Sequence, residues 1–205
     1  MTSGIIVAAG KGTRMGANVD KLFLEVAGRP VIAHTWRRFE SAACIDEIVL
    51  VVRDGMQDAF RDLAQRFGFR KKFSLVAGGK ERQDSVWNGL QGIAANIEIV
   101  AIQDGARPCT SEAIIADTVQ AAKAVGAAVA AQRVTDTIKE ADEAGFIRHN
   151  VDRSRAVRHG EFGVLLIFSD PLGRSLMRHL SHDKLHCGIP LPRWLEAVQV
   201  PELFE

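Results

Sequence analysis

Along the first 135 positions, apolar residues fall into short continuous runs separated by longer stretches in which they recur every third or fourth residue. The runs are "GIIVAA" at 4–9, "EIVLVV" at 47–52, "FSLVAG" at 73–78, "EIVAIQD" at 98–104 and "GAAVAAQRV" at 126–134. Short, β-branched and ended by Gly, Asp or Arg, they predict strands buried on both faces, as in a parallel sheet. The intervening stretches have helical spacing. "PVIAHTWRRFESA" puts Val31, Ile32, Thr35, Trp36 and Phe39 on one side, and "MQDAFRDLAQRFG" does so with Phe60, Leu63, Ala64 and Phe67 before Gly68 stops it. "ERQDSVWNGLQGIAA" and "TSEAIIADTVQAAKAVG" complete the series, the second opening on a Thr or Ser cap and ending at Gly126. Strand and helix in alternation predict an α/β fold with a doubly wound, mostly parallel, Rossmann-like sheet. Ligands of such sheets sit beyond the carboxyl ends of the strands.

From 135 to 154 the rhythm changes. Thr135, Thr137 and Ile138 lead into the polar turn "EADEAG", and "FIRHNV" then alternates apolar and polar residues, which predicts a hairpin arm. The tail, 155–205, carries four of the six His and four of the six Pro, and its apolar pieces "GVLLIF" and "LPRWLEAVQV" show no clear alternation with helices. We expect one domain over 1–205, comprising the arm at about 135–154 and this atypical tail.

Composition narrows the function classes. With 205 residues, 47% of them hydrophobic and 25% charged, the chain can bury a substantial core. A net charge of +1, from 26 basic and 25 acidic residues, gives no global reason to bind nucleic acid or an acidic membrane, so any anion site is local. "MTSGIIVAAGKG" has no basic region or long apolar stretch of a signal peptide, and no apolar run approaches the roughly 18 residues of a membrane span. A cytoplasmic protein that binds neither nucleic acid nor membrane is expected. Cys44, Cys109 and Cys187 lie far apart without CxxC spacing and read as reduced thiols. His179, His182 and His186, beside Cys187, fit no compact zinc ligand set.

The candidate chemistry begins after the first run, in "AAGKGTRMGANVDK", residues 8–21. A dinucleotide fingerprint needs a third glycine where Met15 stands, Gly16 coming one residue late, and a Walker A loop needs a Gly-Lys-Ser/Thr triplet that is absent. What remains is a phosphate cradle. Its backbone N–H groups would come from the turn around Gly10 and Gly12, and Arg14 and Lys21 would add positive charge. The plainer alternative is a tight turn with solvated charges. Small residues at Ala8, Ala9 and Gly10 favour the cradle because they let a ligand approach the backbone.

"AAGKGTRMGANVDK" resembles the opening of sugar-phosphate nucleotidyltransferases. With "GGKERQDSVWNGL" at 78–90, "QDGARP" at 103–108, "VTDTIK" at 134–139 and "VDRS" at 151–154, in order and similarly spaced, residues 4–155 resemble the 2-C-methyl-D-erythritol 4-phosphate cytidylyltransferase family. The resemblance implies a nucleotidyltransferase fold and a Mg²⁺-dependent, or otherwise divalent-cation-dependent, attack of a polyol phosphate on the α-phosphate of CTP, expelling pyrophosphate. It implies Arg14 and Lys21 as catalytic residues and Ala8, Ala9, Gly10, Gly12, Gly79, Arg82 and Ser85 as nucleotide-binding residues. Asp104, Arg107, Thr137 and Arg153 would then bind the polyol phosphate, and Asp104 is also the candidate metal ligand. The arm implies a homodimer with shared sites. A phosphate monoester is already anionic near neutral pH, so positioning and charge stabilisation suffice and no general base is required.

Simpler readings stand beside these. Ser85 or Asp84 serves as a helix N-cap, Arg153 pairs with Asp152, and Thr137 packs across the hairpin; His34 is a core or boundary residue, and Trp36, Trp87 and Phe39 belong to the core. Ribitol 5-phosphate cytidylyltransferase, or a CTP-binding protein without turnover, is the alternative function. After "VDRS" the family pattern continues with T-P-Q and T-D-D segments and a late lysine, none of which is found here; Lys184 stands in no matching context. A change of reading frame near codon 155 is the expectation, tested by translating the alternative frames downstream for T-P-Q.

Overall fold

A computed structural model of the chain describes residues 1–10, 20–153, 157–158 and 166–169. Its strands and helices follow the pattern of apolar runs closely. Strand β1 (Thr2–Ala8) is followed by a small hairpin of β2 (Glu25–Val26) and β3 (Arg29–Pro30), helix α1 (Val31–Ser41), β4 (Glu47–Val52) and α2 (Gln57–Phe67). Then come β5 (Phe73–Ala77), α3 (Arg82–Gln91), β6 (Ile99–Asp104), α4 (Glu112–Val125) and the two-residue strands β7 (Ala127–Ala128) and β8 (Gln132–Arg133). The arm is formed by β9 (Lys139–Ala141) and β10 (Ile147–Asn150), after which β11 (Val157–Arg158) pairs with β8, and β12 (Leu166–Ser169) joins the main sheet.

The main sheet has the order β5-β4-β1-β6-β12-β7, and its first four strands are parallel. Because successive side chains in a strand face opposite sides, each run feeds two cores. Ile6, Ala8, Leu50 and Val52 pack with Trp36, Phe39, Phe60, Leu63, Ile115 and Val119, which come from α1, α2 and α4. Ile5, Val49, Val51 and Ile102 pack on the other face with Val86 of α3, with Leu90 partly buried against them. This is why those runs are continuously apolar. Trp36 stacks on Phe69, centroids 4.5 Å apart, and meets Phe73 edge-on at 5.1 Å. Trp87, expected in the core, is only half-buried and belongs to neither cluster among the described residues.

Helix ends use the anticipated devices. The Ser111 hydroxyl accepts the Ile114 N–H at 3.2 Å to start α4, and Gly68, at φ 64°, ends α2 while Phe69 N–H donates to the Ala64 carbonyl at 3.0 Å.

The stretch 126–134 departs from expectation. Instead of one parallel strand it gives two two-residue pieces, and the position beside β6 is taken by β12 from the tail, antiparallel to both β6 and β7. Leu166 stands opposite Ile102 and Ile167 opposite both Ala101 and Ala128. Alanine has weak strand preference, so "GAAVAA" does not hold a long pairing of its own. The tail thus supplies an interior strand of the sheet, between β6 and the edge strand β7.

One buried carboxylate ties three segments near the amino end of the sheet. Glu47, its side chain 7% exposed, accepts the Ala94 N–H at 3.0 Å and the Lys72 ammonium at 3.0 Å. Burial alone would raise its pKa, but the Ala94 amide and Lys72 more than offset this and hold it below 4.5. A carboxyl group whose folded pKa is depressed adds stability above its unfolded pKa and loses it as pH falls through the folded value. Glu47→Gln keeps an acceptor for the Ala94 N–H but removes its charge, and is therefore expected to cost about 1 kcal/mol at neutral pH, little of it from Lys72, which is largely exposed. Urea midpoints of the two proteins should begin to converge as pH falls below the ordinary glutamate range and meet once it has passed below the lowered folded value. An undiminished gap in acid would contradict this account.

Candidate functional site

Four parallel strands end at one edge, and the segments that follow them carry most of the candidate residues. Ala8 is in register with Val52, Val52 with Ala77, and Val7 with Asp104. The exits are cross-tied: Gly78 N–H donates to the Val52 carbonyl at 2.8 Å and Gly105 N–H to the Val7 carbonyl at 2.8 Å. A Cβ on Gly78 would lie 2.2 Å from that of Ala9, so glycine here lets the β1 and β5 loops touch. Gly10 is exposed, and the space a side chain would occupy above it is open among the described residues. Gly12 and Arg14 lie outside the described residues, as do the tail histidines and Cys187.

The Gly78–Gly79 turn is held against the start of α3. Ser85 Oγ accepts the Gly79 N–H at 3.0 Å and donates to the Glu81 carbonyl at 3.2 Å, and the Asp84 carboxylate accepts the Glu81 N–H at 2.9 Å. A Cβ on Gly79 would meet Asp84 Cβ at 2.2 Å. Ser85 is buried, and its hydroxyl is engaged in shaping the turn; Asp84 supplies the cap interaction.

Asp104 is the electrostatic centre of this edge. Its Oδ1 receives Arg82, with Nε at 3.0 Å and Nη2 at 2.9 Å, and its Oδ2 receives Arg107 Nε at 3.1 Å. Each oxygen of one carboxylate thus holds a different guanidinium, one from α3 and one from the loop after β6. That loop is itself fixed: Arg107 N–H donates to the Asp104 carbonyl at 3.2 Å, the Gln103 amide donates to Thr110 Oγ1 at 2.9 Å, and Thr35 Oγ1 donates to the Gly105 carbonyl at 2.9 Å.

Lys21 is half-buried in a turn closed by Phe23 N–H on the Asp20 carbonyl at 3.0 Å. Its side chain makes no hydrogen bond or ion pair with the described residues. Sequence reasoning missed its neighbour: Asp20 is ion-paired with Arg53, the residue just past β4. The available signal was an arginine directly after a buried strand at the ligand end of the sheet. Thr137 and Arg153 lie at the base of the arm and are exposed. Arg153 Nη1 donates to the Thr135 carbonyl at 2.6 Å, and Val151 N–H closes the base on the Ile138 carbonyl at 3.0 Å. Neither Thr137 nor Arg153 is bonded to the Asp104 cluster among the described residues. His34 Nε2 contacts the Val26 carbonyl at 2.8 Å, in keeping with a boundary residue.

The family model described as IspD, 2-C-methyl-D-erythritol 4-phosphate cytidylyltransferase, matches residues 3–159. The chain belongs to this cytidylyltransferase family. Among its curated relatives, the 2-C-methyl-D-erythritol 4-phosphate cytidylyltransferase of Pelotomaculum thermopropionicum is 43% identical over 152 residues, which are 74% of this chain and 64% of that protein. The enzyme of the same name from Geobacillus kaustophilus is 45% identical over 150 residues, 73% of this chain and 65% of that one. The chain thus spans just under two thirds of the length of these family members. The crystal structure of 4-diphosphocytidyl-2C-methyl-D-erythritol synthase from Anaerococcus prevotii superposes with a TM-score of 0.78 at 26% identity, covering 91% of this chain and 78% of that one. The Thermus thermophilus cytidylyltransferase, TM-score 0.65 at 24% identity, covering 91% of this chain and 81% of that one, supports the same fold. The family match ends close to Arg155, where the sequence pattern departs.

Proposed function

We propose that the protein transfers the cytidylyl group of CTP to 2-C-methyl-D-erythritol 4-phosphate with release of pyrophosphate. The observation that carries this reading is the gathering of the Ala8–Gly10 exit, the Gly78–Gly79 turn and the Arg82–Asp104–Arg107 cluster at one end of a parallel sheet, in a chain of the cytidylyltransferase family. A phosphate oxygen of the acceptor attacks the α-phosphorus of CTP, a new P–O bond forms, and the bond to the β-phosphate oxygen breaks so that its electron pair leaves on pyrophosphate. Backbone N–H groups near Gly10 and Gly12, with Arg14 and Lys21, bind the triphosphate and stabilise the charge that grows on it. Ala8 and Ala9 leave room for that approach, while Gly79 and Arg82 border the nucleoside and Ser85 holds their turn. Arg107, Thr137 and Arg153 bind the acceptor phosphate.

The described residues do not fit a protein-built Mg²⁺ cage. Both Asp104 oxygens are taken by guanidinium groups, and no three His, Cys, Asp or Glu residues gather among the described ones. A divalent cation serving this reaction would be held chiefly by the phosphates of CTP, as is usual for Mg²⁺, and Asp104 instead orients the two arginines.

The arm supports a homodimer, because Phe146 and Ile147 are 73% and 65% exposed on it and a partner would cover them. No helix among the described residues is long and apolar enough to cross a membrane, and we place the enzyme in the cytoplasm.

The test is pyrophosphate release with Mg²⁺ and CTP in three arms: methylerythritol phosphate, ribitol phosphate and no acceptor. Release with the first alone is expected. Release with ribitol phosphate alone would replace the acceptor, and none in a folded, CTP-binding sample would make this a nucleotide-binding protein.

A further inference from the structure

We infer that the Asp20–Arg53 ion pair is a latch that fixes the turn carrying Lys21, and so positions that lysine for the phosphates of the bound nucleotide. The latch deepens the proposed transferase reading and, for its catalytic consequence, rests on it.

The argument begins with Arg53. It follows Val52, whose side chain is fully buried and whose carbonyl accepts the Gly78 N–H at 2.8 Å. On its other side the chain turns at once: Met56 N–H donates to the Arg53 carbonyl at 3.1 Å, with Gly55 at φ 78° in the third position of the turn. The Arg53 backbone is therefore held by a central strand and by a tight turn, a rigid base for a long cation. Its guanidinium Nη2 donates to Asp20 Oδ2, and both side chains are about three quarters covered, at 27% and 24% exposed.

With Oδ2 given to Arg53, Asp20 uses its other two acceptors to shape the residues that follow. Oδ1 accepts the Leu22 N–H at 3.1 Å, and its carbonyl accepts the Phe23 N–H at 3.0 Å, which makes an Asx turn inside a β-turn. Leu22 is 2% exposed in the core, its carbonyl accepts the Ile32 N–H at 3.0 Å, and Phe23 sits edge-on to Phe60 at 5.8 Å. Lys21 thus lies between a residue tied to the end of β4 and one buried in the core, while its own side chain is bonded to no described residue. The strand exit that carries the latch also holds the Gly78 turn, so one rigid element fixes both the Lys21 turn and the turn bordering the nucleoside.

Asp20→Asn keeps the acceptor for Leu22 N–H and removes the charge. It should lower kcat by about 10–10²-fold, in line with what small misplacements of a reacting group cost, while the KM for CTP changes by less than about threefold and the melting temperature stays near that of the parent. Arg53→Met should match it, and Arg53→Lys should recover most of the loss. Hydrogen exchange of the unliganded protein gives a readout independent of turnover: the Leu22 and Phe23 amides should exchange at least about tenfold faster in Asp20→Asn and Arg53→Met, as expected for a turn that opens locally. Unchanged exchange in both variants overturns the latch whatever the kinetics. Unchanged kcat, or activity lost only in proportion to folded protein, overturns its positioning role. Faster exchange in the variants of a parent protein that shows no turnover would uphold the latch and bring down the transferase reading alone.

Discussion

Replacing Lys21 by Met is expected to cut cytidylyl transfer by about 10²–10³-fold, the range seen when a preorganised charge-stabilising group is removed, with little effect on folding. Stability should hold because the neighbours of Lys21, not Lys21 itself, anchor the turn: Asp20 is paired with Arg53, and Leu22 and Phe23 pack inward. The ammonium has no bonded partner among the described residues, so its loss leaves no buried group unsatisfied. Turnover falls because charge grows on the pyrophosphate as the α–β bridge breaks, and a lysine whose backbone is already fixed meets that charge without reorganising. Steady-state kinetics beside thermal unfolding tests the point. A turnover within threefold of the parent would remove Lys21 from the site.

The second large effect is expected at Asp104. Asp104→Asn removes the charge that holds Arg82 and Arg107 together and leaves two guanidinium groups side by side. Both should swing away, so kcat/KM should fall for CTP and for the acceptor alike, by about 10²-fold each. The two-substrate loss is diagnostic. A metal-ligand role for Asp104 would show instead as a raised Mg²⁺ concentration for half-maximal rate, with full activity regained at saturating metal. Kinetics over a Mg²⁺ series separates the two.

Much of this architecture could be read before any coordinates. The parallel strands buried on both faces had to be apolar throughout, and Gly68, Ser111 and Gly126 mark helix ends by local chemistry alone. The position of the site followed from topology, since parallel strands bring Ala8, Val52, Ala77 and Asp104 to one edge. What escaped was decided by contacts distant in sequence. No local signal tells that Arg53 meets a residue 33 positions earlier, or that Leu166–Ser169 takes the place beside β6 and confines "GAAVAAQRV" to two short pieces. Ser85 illustrates a subtler gap. Its spacing from Arg82 was visible, but that its hydroxyl is spent on Gly79 and Glu81 depends on how the glycine turn folds back on α3. Arg153 also holds the Thr135 carbonyl at the base of the arm, a backbone contact that side-chain patterning does not reveal.

The central claim is that this edge of the sheet transfers a cytidylyl group to a polyol phosphate. Its most direct test is the fate of label from CTP carrying ³²P at the α position, incubated with the purified protein, Mg²⁺ and methylerythritol phosphate. The account predicts that label moves into a cytidine diphosphate-linked polyol while the released pyrophosphate carries none. Label that stays in CTP, or appears only in CMP, would contradict it.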